Sequence, residues 1–335
     1  MKQHCSKCKA PRLPRTTLCR AHKSEAERER RAVKRDQLDL PRTILVPKAP
    51  GDRMALVKDL AERKLIEPKQ ARELLDARPT APGGERPYEQ PALARVLFIP
   101  DVHRPYHDKR AWATMIKAAK LFRPDKIVVL GDYGDCYAAS SFVKDPRRKN
   151  DLKWEAEDCN VGLDELDALE ATHKIFIAGN HEDRLERYLS SAAPSLIGVT
   201  SIPELYRLAE RGWHYTPYKR STRLGKVRLT HDTGTAGINA HRQSVDAFQA
   251  SCIIGHTHRM EMSYKGNADG KPTVGAMFGW LGDFDQIDYM QAVKARRDWV
   301  HGFGIGFEEP NGVIHLQCVP IIEGRCVMHG QLVTL

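Results

Sequence analysis

Val96-Leu97-Phe98-Ile99-Pro100-Asp101-Val102-His103 is an apolar, β-branched run that stops at a carboxylate and an imidazole. Such a run predicts a buried strand, with the two polar side chains standing at its carboxyl end. Outward along the chain the same event recurs. Lys126-Ile-Val-Val-Leu130 runs into Gly131-Asp132, and Lys174-Ile-Phe-Ile-Ala178 into Gly179-Asn180-His181-Glu182. Val227-Arg-Leu-Thr230 runs into His231-Asp232, and Ser251-Cys-Ile-Ile254 into Gly255-His256-Thr257-His258. Buried strands that all end in polar clusters predict ligand groups meeting along one edge of a sheet.

Helical stretches are expected between these strands at 109–122, 151–171, 182–190 and 237–247. Beyond Gly255 the pattern turns β-rich, with runs at 273–278, 303–307 and 312–319. That order predicts an α/β protein, a sandwich of two mixed sheets flanked by helices, with the chemistry on the loops after the strands. The clusters supply carboxylate oxygens, imidazole nitrogens and one amide oxygen, the donor set that two adjacent hard-to-borderline divalent ions need. A phosphate ester repels an anionic nucleophile. Two cations roughly 3.5–4 Å apart neutralise the ester and lower the pKa of a shared water. A site that holds two such ions on few anionic ligands keeps a net positive charge and attracts phosphate.

The ordered set D-x-H, G-D-x-x-D, G-N-H-[DE], H, G-H-x-H resembles the calcineurin-like metallophosphoesterase family over roughly residues 94 to 279. The resemblance implies a four-layer αββα sandwich. It implies one metal on Asp101, His103 and His258, a second on Asn180, His231 and His256, Asp132 bridging both, and a hydroxide shared between the ions as in-line nucleophile. It further implies His181 as general acid, oriented and kept protonated by Asp135. Manganese suits such mixed donors, with iron or zinc as alternatives. Arg184, three residues past His181, is a candidate clamp for a phosphate oxygen, against the plainer reading of a solvated helical arginine. Asp135-Cys136-Tyr137 stands where phosphoprotein phosphatases of the family often carry Asp-Arg-Gly, which counts against that specialisation.

The amino terminus carries a separate signal. Cys5-x2-Cys8-x10-Cys19-x2-His22 offers three thiolates and an imidazole at the spacing of a tetrahedral structural zinc site. A segment this small buries no core of its own, so the metal would be its fold. The competing reading is a basic arm with incidental cysteines. Residues 1–50 hold 14 Lys and Arg against 5 Asp and Glu, nearly all of the chain's net +10. The run from Ser24 to Asp36 reads as a basic helix capped by Ser24 with Glu27 in the capping-box position. Such asymmetry fits binding to DNA or RNA through counterion release, or else a solvated mixed-charge helix.

Residues 51–78 read as a small helical hairpin, with a helix-turn-helix reader as the alternative, and the Pro- and Gly-rich 79–93 as a linker to a catalytic domain at 94–335. No stretch reaches 18 apolar residues and the start has no signal-peptide core, so no membrane partner and a cytoplasmic location are expected. Cys136, Cys159, Cys252, Cys318 and Cys326 show no framework spacing and read as reduced thiols. Tyr133, Tyr137 and Trp280 either line the site or pack, and 283–290 with Trp299 is expected to form a lid or substrate wall. The expectation is therefore a metal-dependent phosphoesterase acting on nucleic acid. A phosphomonoesterase on phosphoproteins or nucleotides is the first alternative, and a nucleic-acid-binding protein with a non-catalytic scaffold the second.

Overall fold

The computed structural model describes residues 92–335 other than 147, 267, 269 and 287–297, together with Glu62. The expected zinc ligands Cys5, Cys8, Cys19 and His22, the basic helix and, apart from Glu62, the 51–78 hairpin lie outside the described residues. The chain divides into units Met1–Glu89 and Gln90–Leu335, and the second carries the architecture below.

Six strands form the first sheet: β1 (Ala94–Ile99), β2 (Lys126–Val129), β3 (His173–Ile177), β4 (Trp213–Thr216), β10 (Gly302–Glu308) and β11 (Ile314–Pro320). Their order is β11-β10-β1-β2-β3-β4, parallel from β1 to β4 and antiparallel at β10 and β11. The second sheet holds β5 (Thr222–Leu224), β6 (Val227–Thr230), β7 (Cys252–Ile254), β8 (Met260–Lys265) and β9 (Thr273–Phe278) in the order β5-β6-β7-β9-β8. Here β6, β7 and β9 run parallel, with antiparallel β5 and β8 at the edges. A small ribbon, β12 (Cys326–Met328) and β13 (Gln331–Val333), closes the chain.

Period-two alternation on β1 decides the layering. Val96 and Phe98 enter one apolar core with Val128, Ile175 and Ile177 of the same sheet and Leu229, Ile253, Ala276 and Phe278 of the other. Leu97 and Ile99 enter a different core, against α1 (Lys109–Phe122) and α2 (Leu152–Asp167), through Met115, Phe122, Leu163 and Leu166. The far face of the second sheet is covered by α5 (Ala240–Phe248), where Val245 packs on Cys252, Ile254 and Met277. The result is the expected sandwich of two mixed sheets between helices. The remaining helices, α3 (Asp183–Ala192) and the single turn α4 (Ile202–Leu205), follow β3.

Local chemistry explains the helix starts. Asp108 caps α1 by accepting from the N–H groups of Arg110 and Ala111, and Asp151 caps α2 by accepting from Trp154. The carboxyl end of α2 departs from expectation. It stops at Asp167 rather than running to 171, because Glu170 takes a left-handed backbone and Thr172 N–H is drawn to the Asp125 carbonyl to start β3. Likewise α5 starts at Ala240, not 237, and the short β4, β5, β8, β12 and β13 add to the expected strands. No helix among the described residues is long and apolar enough to cross a membrane.

Candidate metal centre

Three loops of the first sheet and two of the second deliver the polar clusters to one place. Asp101 and His103 follow β1, Asp132 follows β2, Asn180 and His181 follow β3, His231 follows β6, and His256 and His258 follow β7. These are the carboxyl ends of parallel strands in both sheets, where open α/β sheets gather their chemistry. His103, Asp132, His256 and His258 all adopt a left-handed backbone, a conformation that persists only where surrounding bonds over-determine it. Those bonds are present. The Asp132 carbonyl accepts from the N–H groups of Val102 and His103 at 2.9 Å each, and Asp101 Oδ1 accepts from His256 N–H at 2.8 Å. Gly179 is required by space, since a Cβ there would overlap the Asp132 carboxylate and backbone nitrogen.

Potential ligand atoms of Asp101, His103, Asp132 and His258 lie within 4.8 Å of one another, as do those of Asp132, His231 and His256. Asp132 is common to both groups. The amide oxygen of Asn180 joins the second, with His256 Nδ1 at 2.8 Å and His231 Nε2 at 3.0 Å. In the first, His103 Nε2 and His258 Nε2 face each other at 3.1 Å, and Asp101 Oδ1 is 3.7 Å from the latter.

Several of these atoms are badly matched without a cation. His231 Nδ1 faces the Leu130 carbonyl at 2.8 Å and so carries the hydrogen. Its Nε2 lone pair then meets two acceptors, Asn180 Oδ1 and Asp132 Oδ2 at 3.3 Å. Only a second proton or a metal ion reconciles them. Asp101 Oδ2 and His258 Nδ1 are buried without a hydrogen-bond partner, a cost of the kind that ligation or its supporting contacts remove. The residues present therefore fit a pair of divalent ions.

Burial and the neighbouring charges also shift the pKa values of these groups. Burial opposes charge on His231, but Asp132 and Asp101 overcome it and push its pKa up to about 10. Burial lifts Asp101 to about 7, with Asp132 adding to the effect and His231 opposing it. Burial works against the Asp132 carboxylate as well, yet His231 and His181 hold its pKa well below the usual range. Burial, followed by repulsion from neighbouring imidazoles, holds His103 and His258 below the ordinary histidine value, His258 well below it. Those two rings are thus neutral and ligand-ready.

Beside this cluster stands His181. Its Nδ1 lies 2.9 Å from Asp135 Oδ1, and its backbone N–H donates to Asp132 Oδ1 at 2.8 Å. Asp135 Oδ1 is also 3.3 Å from His103 Nδ1, so one carboxylate orients two rings. Burial and Arg184 press the His181 pKa down while Asp132 and Asp135 raise it, and the net direction is upward. Arg184 Nη1 donates to the Asp135 carbonyl at 2.8 Å, and its Nη2 sits 3.0 Å from His181 Nε2.

Five residues carry parts of this site that motif reading passed over or left open. Glu182, fully buried, accepts from Gly179 N–H at 2.7 Å, Asp132 N–H at 3.0 Å and Gly134 N–H at 2.8 Å, clamping the β2 and β3 loops together. Its place in the G-N-H-[DE] motif was the available signal. Arg148 stacks between Tyr106 and Tyr137, 3.7 and 4.0 Å from the ring centroids, with Nη2 3.3 Å from Asp135 Oδ2. No local pattern marks it. Trp280 is wholly buried and stacks on His258 at 4.8 Å, while Trp299 meets the same imidazole edge-on at 4.2 Å. Tyr133 packs in the core, whereas Tyr137 and Trp299 line the cleft over the site, which has a volume of 520 Å³.

A mixed-sheet sandwich that pools imidazoles, carboxylates and an amide around two adjacent cation positions defines a metal-dependent hydrolase of phosphoesters. Residues 94–260 match the calcineurin-like phosphoesterase family, and the chain carries a calcineurin-like metallophosphoesterase domain. It is similar to the Gene 54 proteins of Mycobacterium phages D29 and L5. Each is 27% identical over 71% of this chain and 98% of the phage protein. Among solved structures it is similar to vacuolar protein sorting 29 from Cryptosporidium parvum, at 14% identity and a TM-score of 0.37 over 72% of this chain and 94% of that one. TT1561 of Thermus thermophilus aligns at 8% identity and a TM-score of 0.32, over 68% and 99%.

Proposed function

We propose that this metal-dependent phosphoesterase cleaves phosphodiester bonds of DNA or RNA, with Asp101, His103 and His258 holding one divalent ion, Asn180, His231 and His256 the other, and Asp132 both. The observation that carries the two-ion reading is the sharing of Asp132 between the two donor groups. Manganese is the favoured metal, given neutral imidazole and amide donors beside carboxylates. Bound there, such ions neutralise the ester and lower the pKa of a coordinated water.

The chain's own groups supply the rest. His181 acts as general acid: Nδ1–H stays on Asp135, and Nε2 carries the proton for the leaving oxygen. A guanidinium can only donate, so the Arg184 contact to Nε2 and a proton on Nε2 exclude each other. Arg184 therefore turns to a non-bridging phosphate oxygen when substrate enters, and the same movement leaves Nε2 able to hold its proton. Two roles are coupled in one side chain.

Nucleic acid is favoured over a phosphoprotein or free nucleotide by the charge of residues 1–50, net +9 while the remainder is nearly neutral. In this reading that segment, with zinc on Cys5, Cys8, Cys19 and His22, tethers the substrate. The test compares the purified chain with Mn²⁺ on a phosphodiester reporter, a phosphomonoester reporter, and single- and double-stranded nucleic acid. Cleavage of nucleic acid, with salt-sensitive binding that weakens on deletion of residues 1–50, is the expected result. Monoester turnover without nucleic-acid cleavage or binding refutes the proposal.

A further inference from the structure

Beyond the ligand cluster the cleft changes character. Part of its wall is Tyr137, Phe142, Val143 and Trp299, and the guanidinium groups of Arg148 and Arg184 line the same space. Phe142 is 75% and Val143 96% exposed. Single apolar side chains in water need no explanation, but two in succession at the mouth of a catalytic cleft mark a contact surface. Arg148 is no loose surface cation. Its stacking between Tyr106 and Tyr137 and its ion pair with Asp135 fix a positive charge next to the carboxylate that orients His181.

Fixed cations beside aromatic faces suit a ligand that joins an anionic phosphate to a flat, apolar-faced ring. We propose that the cleft takes an unpaired nucleotide, so that the substrate is single-stranded nucleic acid. The base next to the cleaved phosphate rests on Phe142, and Arg148 faces the phosphate oxygens. This rests on the nucleic-acid reading above. A duplex keeps both faces of each base covered and has to unstack one before it can reach Phe142. A single strand offers its base faces directly. Recognition of this kind is indifferent to base identity, since every base has a π-face, and requires only that the base be free.

The experiment uses the full chain with Mn²⁺ on one oligonucleotide sequence, as DNA and as RNA, single-stranded and annealed, beside the reporter bis(p-nitrophenyl) phosphate. The single-stranded form is expected to be cleaved roughly tenfold or more faster in kcat/KM. Phe142→Ala is expected to lower that value by roughly 5- to 150-fold, and Phe142→Trp to restore it. Because Phe142 is exposed, the alanine variant keeps its fold, and an unchanged melting curve verifies this. Equal rates on both forms, or wild-type cleavage by Phe142→Ala, overturns the proposal while leaving the nucleic-acid reading intact. Reporter hydrolysis with no oligonucleotide cut in either form overturns that underlying reading as well.

Discussion

Replacing Glu182 by glutamine tests whether the centre is assembled by the loops that hold it rather than by the ligands alone. Glu182 stands at the start of α3 yet does not cap it. Its carboxylate turns back to three N–H groups, Gly179 and Asp132 on one oxygen and Gly134 on the other. Alanine would strand all three, at about 1–3 kcal/mol for each buried donor. That sum approaches the whole stability of a typical domain. Glutamine keeps the shape and one oxygen, but sets an amide N–H against at least one backbone N–H. The expected cost is therefore about 1–3 kcal/mol, a fall in Tm of about 2–12 °C at the roughly 2–4 °C per kcal/mol of a large domain. Because the lost bond joins the loop of Asp132 to that of Asn180, Mn²⁺ affinity should fall roughly 10–100-fold, as for other groups that orient metal ligands. Calorimetry for Tm and isothermal titration with Mn²⁺ measure the two effects. Leu189→Ala is the control, since it empties a buried site on α3 at about 2–5 kcal/mol without touching either loop. If Glu182→Gln binds Mn²⁺ as wild type does, or if Leu189→Ala weakens binding as much, the clamp argument is wrong.

Asp132→Asn removes the carboxylate common to both donor groups, so bound metal by elemental analysis and hydrolysis should fall together. Full metal content with retained activity would refute the sharing. His181→Gln should keep both metals and slow turnover by roughly 10²–10⁴-fold, and loss of metal instead would reassign His181 as a ligand. Burial lifts the Glu155 carboxyl from 4.5 to about 7, with the N–H groups of Ala138 and Tyr137 opposing and Asp135 adding to the rise. A carboxyl of raised pKa binds more protons folded than unfolded. Its contribution is therefore complete below pH 4.5 and is lost as pH climbs through 7, a change of roughly 3 kcal/mol. Urea midpoints should fall across that window in the wild type and stay flatter in Glu155→Gln. Equal slopes in the two proteins would show that Glu155 is not the titrating group.

What was legible in the sequence, and what was not, divides along a physical line. Asp101, Asp132, Asn180, His231 and His256 could be read because each directly follows an apolar run, and a strand end is defined by its own few residues. The same locality made α1 readable to the residue, since the stretch expected at 109–122 is the one the helix occupies. Edge strands such as β4 and β5 have short runs whose burial comes from the neighbour they pair with, so nothing local announces them. The early end of α2 goes with a bond to Asp125, which lies in the bend ahead of β2 and far away in sequence. Arg148 and Trp280 belong to the same class of unreadable feature. One is held by tyrosines at 106 and 137, and the other by imidazoles at 103 and 258. Which donor-bearing residues stand at the strand ends is thus a local property, whereas their mutual geometry and the wall of the cleft arise from long-range packing. For that reason the motifs identify a phosphoesterase without naming its substrate, and the parts proposed to select single strands, Phe142 and Arg148, fall in the 141–149 loop, where no motif lies.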